Sequence, residues 1–181
     1  MRQHARTRIA AAGIAGLALA GLLAGCAGSP GTAAVVDGRT IRTSEVTAVV
    51  DELSPAYRGA TPQAYLGALI IEPTLVQAAA DAGLAVSDDD GIARLRSDFA
   101  SAGAPAPDTF SAPTIAIGRY QAVAAKLSDT GDADKVTQLR AQLASRIDAL
   151  DVTVNPRFGT FDPTSGGISL PSAPAWMATG S

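Results

Sequence analysis

Few residues in this 181-residue chain could carry chemistry. It has one cysteine, Cys26, and one histidine, His4. A single cysteine cannot form a disulfide within its own chain, so its thiol is available for another reaction. Both residues lie near the N-terminus, and their surroundings decide whether they belong to a folded site or to a processing signal.

The first 25 residues have the three-part pattern of a secretory signal. Arg2, Arg6 and Arg8 form a positive cluster, and the run from Ile9 to Ala24 contains only apolar residues and glycine. That run is shorter than the roughly 18 apolar residues that a transmembrane helix needs. Small residues precede Cys26, as at a cleavage site. We therefore predict a signal peptide over residues 1–25.

The tetrapeptide Leu23-Ala24-Gly25-Cys26 resembles the lipobox of bacterial lipoproteins. In that family the chain is cut just before the cysteine, and its thiol carries a diacylglycerol. The resemblance implies lipidation of Cys26, with palmitate-type acyl chains anchoring the protein to the extracytoplasmic face of the cell membrane. The alternative is an ordinary signal peptide that happens to end in cysteine. Residues 26–32, which are mostly small, are predicted to form a flexible tether.

The mature chain would hold neither an imidazole nor a free thiol. This excludes Ser-His-Asp and Cys-His catalysis, and it excludes zinc and iron–sulfur sites that need those ligands. The chain has 17 acidic against 14 basic residues, and the signal peptide contains three of the arginines. An acidic domain without basic clusters argues against nucleic acid as a partner. We expect no enzyme, no metal and no cofactor.

Two carboxylate motifs are candidates for chemistry. Asp88-Asp89-Asp90-Gly91 offers carboxylates for calcium, but Ile92 stands where a further ligand is needed and no glutamate closes the loop. Asp129-Thr130-Gly131 matches the short signature of aspartic proteases, which need two such carboxylates. It occurs once, between two predicted helices. We interpret the first motif as a helix start, the second as a turn, and Lys126 with Asp129 as an exposed pair.

Short strands are predicted at both ends of the domain. Val35 and Val36 predict a strand, Asp37-Gly38 a tight turn, and residues 39–41 the return strand. Alternation of Val152 and Val154 with polar residues predicts the last strand. We expect the last strand to pair with the first.

Apolar residues at helical spacing predict five helices between these strands. Helix starts are expected at Thr43 or Ser44, at Thr61-Pro62, at Ser87, before Ile115 and at Asp132. Pro73 should kink or split the second helix, because proline has no amide hydrogen to donate. The predicted core faces comprise Val46, Val49, Val50 and Leu53, then Tyr65, Leu66, Leu69 and Ile70, then Leu75, Val76 and Ala79, then Ile92, Leu95 and Phe99, then Ile115, Ile117, Tyr120, Val123, Ala124 and Leu127, and finally Val136, Leu139, Leu143, Ile147 and Leu150.

The chain between helices and beyond the last strand is rich in Gly, Ser and Pro. Residues 101–113 form the longest predicted loop. From Thr160 onward we expect a poorly ordered tail, with residues 33–162 as the folded domain and 163–181 outside it. Trp176 lies in that tail and could dock or be exposed. Tyr57 is interpreted as a core or half-buried aromatic residue.

Two stretches resemble a known family. The opening, AAVVDGRTIRTSEVTAVVDEL, is similar to the start of the SurA N-terminal-like domain, and VTVNPRFGTFD resembles the closing strand of its lipoprotein branch. The resemblance covers about residues 33–162. It implies a mainly α fold, a small helical bundle closed by pairing of its first and last strands. It also implies binding of unfolded polypeptides outside the cytoplasm. No segment long enough for a parvulin isomerase domain is present.

Three functions are therefore open. The first is a membrane-anchored, chaperone-like protein that binds non-native polypeptides in an apolar groove, with moving parts around Pro73 and in the loop from Ala102 to Pro113. The second is a lipoprotein that binds one dedicated envelope protein or a small ligand. The third is a carboxylate-based hydrolase, which requires two acids facing each other in a cleft at about 5–10 Å.

Overall fold

The first and last predicted strands pair in the computed structural model, which describes residues 30–170. β1 (Thr32–Val36) and β2 (Arg39–Arg42) form a hairpin, and β3 (Val152–Val154) pairs antiparallel with the other side of β1. Val36 lies opposite Val152, so the two ends of the domain meet. Cys26 and Trp176 lie outside the described residues, as do the signal peptide and most of the tether.

Five helices connect β2 to β3 and make the fold mainly α with a small antiparallel sheet, as expected. They are α1 (Thr43–Leu53), α2 (Pro62–Asp81), α3 (Asp88–Ser101), α4 (Ala112–Asp129) and α5 (Ala133–Asp148). The side chains of Thr61, Ser87 and Asp132 each accept a hydrogen bond from a backbone N–H in the first turn of their helix. These three predicted caps are confirmed.

The start of α1 differs from the prediction. The capping position is Arg42, one residue before Thr43, because β2 leads directly into the helix. The Glu45 carboxylate accepts a hydrogen bond from the Arg42 backbone N–H at 2.5 Å. Glu45 thus satisfies one of the free N–H groups at the start of α1, and neither Thr43 nor Ser44 occupies the capping position.

Of the kink or split predicted at Pro73, the split is wrong. α2 continues through this proline over 20 residues. Pro73 cannot donate to the carbonyl of Leu69, four residues earlier, and Nη2 of Arg39 donates to that oxygen instead at 3.2 Å. The sheet therefore supplies the hydrogen bond that the helix lacks.

α2 is the central element of the core. It packs against α1, α4, α5, β1 and the C-terminal hairpin described below. Half of its residues are buried: Tyr65, Leu66, Gly67, Leu69, Ile70, Ile71, Glu72, Leu75, Ala78 and Ala79. Burial on several faces of one helix is typical of a helix surrounded by others rather than one lying on a surface.

α3 and α4 cross at two glycines. A Cβ atom at Gly118 would lie 2.5 Å from the carbonyl oxygen of Gly91, and one at Gly91 would lie 2.8 Å from the backbone nitrogen of Arg119. The backbones therefore approach more closely than any side chain would permit.

Loop residue Phe110 is buried, with its ring centroid 5.9 Å from that of Phe99 on α3.

The apolar faces of α4 and α5 are less deeply buried than predicted. Ala124 of α4 is exposed. Of the five residues predicted for the α5 face, Leu139 and Ile147 are buried, whereas Val136, Leu143 and Leu150 are half-buried. α5 packs mainly against α2, so it covers one edge of the bundle.

The predicted poorly ordered tail begins too early. Thr160–Asp162 and Gly167–Ser169 form an antiparallel hairpin, β4 and β5, that packs on α2. The domain boundary expected at residue 162 therefore falls inside this hairpin. The Gly and Ser residues build its turn, because Gly166 has a φ of +65° and Asp162 accepts hydrogen bonds from Thr164 and Ser165. None of the helices in residues 30–170 has the length and apolarity to cross a membrane.

Candidate functional site

The aspartate run at residues 88–90 is used for helix capping and ion pairing. Oδ2 of Asp90 accepts hydrogen bonds from the backbone N–H and the hydroxyl of Ser87, and these bonds lower the pKa of Asp90. Asp88 pairs with Arg119 of α4. In the described part of the chain, no group of three or more His, Cys, Asp or Glu side chains is placed to hold a metal ion. The interpretation as a helix start is confirmed.

Lys126 and Asp129 do not form the pair that the sequence predicted. Nζ of Lys126 donates to the carbonyl of Ala85 at 2.7 Å and lies 3.6 Å from Oδ2 of Asp90. Asp129 ends α4, and Gly131, with a φ of +63°, makes the turn into α5. The turn interpretation of Asp129-Thr130-Gly131 is confirmed, and the lysine joins α4 to the start of α3.

One buried ion pair was not found from the sequence. Glu72 of α2 is 4% exposed, and its Oε1 lies 2.7 Å from both Nε and Nη2 of Arg119. The hydrogen bond to Glu72, opposed by burial and helped by Asp88, raises the pKa of Arg119. The only signal in the sequence was a glutamate next to Pro73 within an apolar run. The pair connects α2 to α4, and Glu72 is the only buried carboxylate among residues 30–170.

Tyr57 links helices through its hydroxyl, whereas Tyr65 is a buried residue of α2. The Tyr57 hydroxyl contacts the Asp98 carboxylate and lies 2.7 Å from Oε1 of Gln121, joining the loop after α1 to α3 and α4. Burial, followed by the Asp98 hydrogen bond, raises the pKa of Tyr57. Tyr65 is buried, and its hydroxyl has no hydrogen-bond partner among the described residues. Burial raises its pKa as well.

The closing motif Asn155-Pro156-Arg157-Phe158-Gly159 forms a turn held against β1. Asn155 is 8% exposed; its backbone N–H donates to the carbonyl of Ala33 at 2.8 Å, and its Nδ2 donates to that of Thr32 at 2.9 Å. Its Oδ1 accepts from the backbone N–H of Arg157 at 3.2 Å. Asn155 thus holds the end of β3 against β1 and fixes the direction of the turn that follows.

Arg157 extends this turn toward α1. Its Nη2 donates to Oγ1 of Thr43 at 2.7 Å, and its guanidinium carbon lies 4.8 Å from the centroid of the Phe158 ring. That distance is within the range of a cation–π contact. Phe158 is 8% exposed and packs into the core.

An apolar groove lies between α1 and this turn, and we call it the α1 groove. Its volume is about 340 Å³. The lining residues are Thr43, Val46, Thr47, Val50, Pro62, Gln63, Arg157 and Phe158. Valine, proline and phenylalanine form its walls, while the hydroxyl, amide and guanidinium groups are the polar groups of its lining. Such a groove can hold an apolar side chain and hydrogen-bond the backbone that carries it.

The parts of the chain expected to move are packed. Pro73 lies in a continuous helix, and Phe110 fixes the loop between α3 and α4 to Phe99. A second depression, of about 410 Å³, lies beside Pro73, and apolar residues line it together with Asp37, Gln77 and Arg146. The α1 groove is lined by Arg157 and Phe158 of the closing motif, so we take it as the candidate site for an apolar ligand.

Comparisons of this chain with protein-family models, with curated proteins and with solved structures found no match.

Proposed function

We propose that this protein is a membrane-anchored extracytoplasmic lipoprotein whose helical domain binds non-native polypeptide chains in a chaperone-like manner. The observation that carries the proposal is the α1 groove, with its apolar walls and polar groups. The resemblance to SurA N-terminal-like domains supports it, since the closing motif that carries part of the resemblance forms one wall. Lipid on Cys26 would hold the domain at the membrane surface.

The groove would select apolar residues presented on an extended chain. Val50 is half-buried, so an entering side chain would remove the rest of its apolar surface from water. Burial contributes about 25 cal/mol for each Å² of apolar surface. Gln63 and Arg157 can bind the backbone of the same segment. Because backbone groups are common to all chains, such a site would recognise sequences broadly.

A second candidate is a lipoprotein dedicated to one envelope protein or a small ligand. It is favoured by the surface of the described residues 30–170, on which Leu170 is the only large hydrophobic side chain that is exposed. A chaperone with broad specificity usually offers a larger apolar surface than this.

Binding to the full-length protein in lipid nanodiscs tests the proposal. The ligands are a polypeptide that stays unfolded because it is reduced and carboxymethylated, and the native form of the same polypeptide. We expect preferential binding of the unfolded form. Val50→Asp should abolish it, whereas Val136→Asp, at a half-buried valine of α5, should leave it intact.

Two results would reject the chaperone proposal. One is equal binding, or no binding, of the unfolded and native forms. The other is binding of the unfolded form that survives Val50→Asp. Crosslinking in the cell envelope would then test the second candidate, which predicts a single saturable partner.

A further inference from the structure

The C-terminal residues 171–181 lie outside the described residues and follow Leu170, which ends the part of the chain that the structure describes. Their sequence, PSAPAWMATGS, has no charged side chain and contains the only tryptophan of the protein, Trp176. Leu170, the last described residue, is 65% exposed. An apolar segment thus leaves the domain at an exposed apolar residue.

The register of the hairpin places this exit next to the groove wall. Thr160 pairs with Ser169, so the next opposing positions are Gly159 and Leu170. The two backbones are in close contact there, because a Cβ atom at Gly159 would lie 2.2 Å from the carbonyl oxygen of Ser169. Phe158, which lines the groove, is the neighbour of Gly159 in the chain.

The segment is long enough to reach the groove. Pro171 and Pro174 favour an extended chain, which advances about 3.1 Å for each residue, so the six residues from Leu170 to Trp176 can span roughly 19 Å. Phe158 precedes Gly159 and Leu170 follows Ser169, so each lies one residue from the close contact. Consecutive Cα atoms are about 3.8 Å apart. The distance from Leu170 to the groove wall at Phe158 is therefore shorter than the roughly 19 Å that the segment can span.

The groove and an indole ring are chemically complementary. A volume of about 340 Å³ is small for a ligand site and suits one large side chain. Val46, Val50 and Pro62 offer apolar contacts to the ring. The guanidinium of Arg157 is a cation for the ring face, and the side-chain oxygen of Gln63 is an acceptor for the indole N–H.

We propose that residues 171–181 fold back and insert Trp176 into the α1 groove of the same chain. The resting groove is then occupied, and any polypeptide that binds there must displace Trp176. This inference goes beyond the proposed function, since docking of the segment requires no client.

Intrinsic fluorescence of the full chain tests the inference directly, because all tryptophan emission comes from Trp176. In the folded protein, in detergent or nanodiscs, we expect blue-shifted emission and several-fold weaker quenching by acrylamide than in denaturant. Val50→Asp should shift the emission to the red and restore quenching. Val136→Asp is the matched control and should leave both properties unchanged.

A second groove variant keeps the test decisive if Val50→Asp fails to fold, which circular dichroism would show. Thr47→Glu changes an exposed residue of the lining, and its carboxylate would compete for Arg157. It should also expose Trp176. Emission like that of the denatured chain would overturn the inference. So would shielding that both groove variants leave intact, as for an indole in the lipid, or shielding that disappears on dilution, as for docking on a second copy.

Discussion

Nη2 of Arg39 donates a hydrogen bond, at 3.2 Å, to the carbonyl oxygen of Leu69, which Pro73 leaves without a helical donor. The helix that forms the centre of the core is thus completed by a side chain from the second strand. A proline that would interrupt an isolated helix is tolerated because another element supplies the missing donor.

This relationship predicts coupling between Arg39 and Pro73. Arg39→Met should lower the free energy of unfolding by about 1 kcal/mol, since it removes one hydrogen bond from a charged donor. In a Pro73→Ala background the alanine N–H can donate to the Leu69 carbonyl. Arg39→Met should then lower the free energy of unfolding by less. Urea unfolding of the two single variants and the double variant measures this. Equal costs in both backgrounds would show that the hydrogen bond does not compensate for the proline.

The close crossing of α3 and α4 at two glycines predicts that a substitution which usually stabilises a helix will destabilise this protein. Glycine to alanine inside a helix usually stabilises it by about 1 kcal/mol. Gly118→Ala should instead destabilise the protein by about 1–3 kcal/mol, because the new Cβ would lie 2.5 Å from the carbonyl oxygen of Gly91. Ser97→Ala, at an exposed position of α3, is the control and should be nearly neutral. A Gly118→Ala variant with a raised melting temperature would contradict the described crossing.

The buried pair of Glu72 and Arg119 predicts that replacing one partner costs more stability than replacing both. Arg119→Met should cost about 3–5 kcal/mol, because it leaves the Glu72 carboxylate buried without its partner. The double variant Glu72→Leu with Arg119→Met should recover most of that loss, since two apolar side chains replace the pair. Chemical denaturation of the three proteins measures the pattern. A double variant as unstable as Arg119→Met alone would mean that the cost lies in lost packing of the arginine.

Three hydrogen-bonded carboxylates predict loss of stability in acid. Arg146 lowers the pKa of Asp81, Ser87 that of Asp90, and the Ser165 hydroxyl that of Asp162, each below the ordinary value of 3.8. Above 3.8 their stabilisation is fully present. As pH falls through their lower folded-state pKa values, the unfolded chain binds protons first and stability is lost.

Melting temperatures recorded from neutral pH to below 3.8 test this dependence. Asp90→Asn removes one of the contributing groups, so its stability should fall less steeply over the acid range. Ser97→Ala, which alters no titratable group and lies at an exposed position of α3, should retain the slope of the unmodified protein. Parallel curves for all three proteins would rule out a contribution from the Asp90 cap.

The proposed lipid anchor predicts the effect of replacing Cys26, the only cysteine. Cys26→Ala should abolish incorporation of labelled palmitate and should release the protein from the membrane fraction, because no other thiol can be acylated. Ser29→Ala, in the predicted tether, should change neither property. Membrane retention and labelling in the Cys26→Ala variant would exclude lipidation at this residue.

The sequence by itself determined the local structure. The caps at Thr61, Ser87 and Asp132, and the Asp37-Gly38 turn, depend on side chains or backbone angles within a few residues, so they can be identified without a fold. Pairing of the end strands was also predictable, because each strand had one clear candidate partner. The function proposed from the N-terminal motif and the family resemblance comes from sequence as well and stays a prediction.

Only the tertiary structure decided what joins distant parts of the chain. The Arg39 bond to Leu69, the Glu72–Arg119 pair and the packing of the β4–β5 hairpin on α2 link residues far apart in sequence, where periodicity carries no information. The α1 groove likewise forms where residues 43–63 meet residues 157–158. Propensity describes what a segment can adopt alone, whereas a groove or a buried pair depends on which faces come together, and that is decided by the packing of the whole domain.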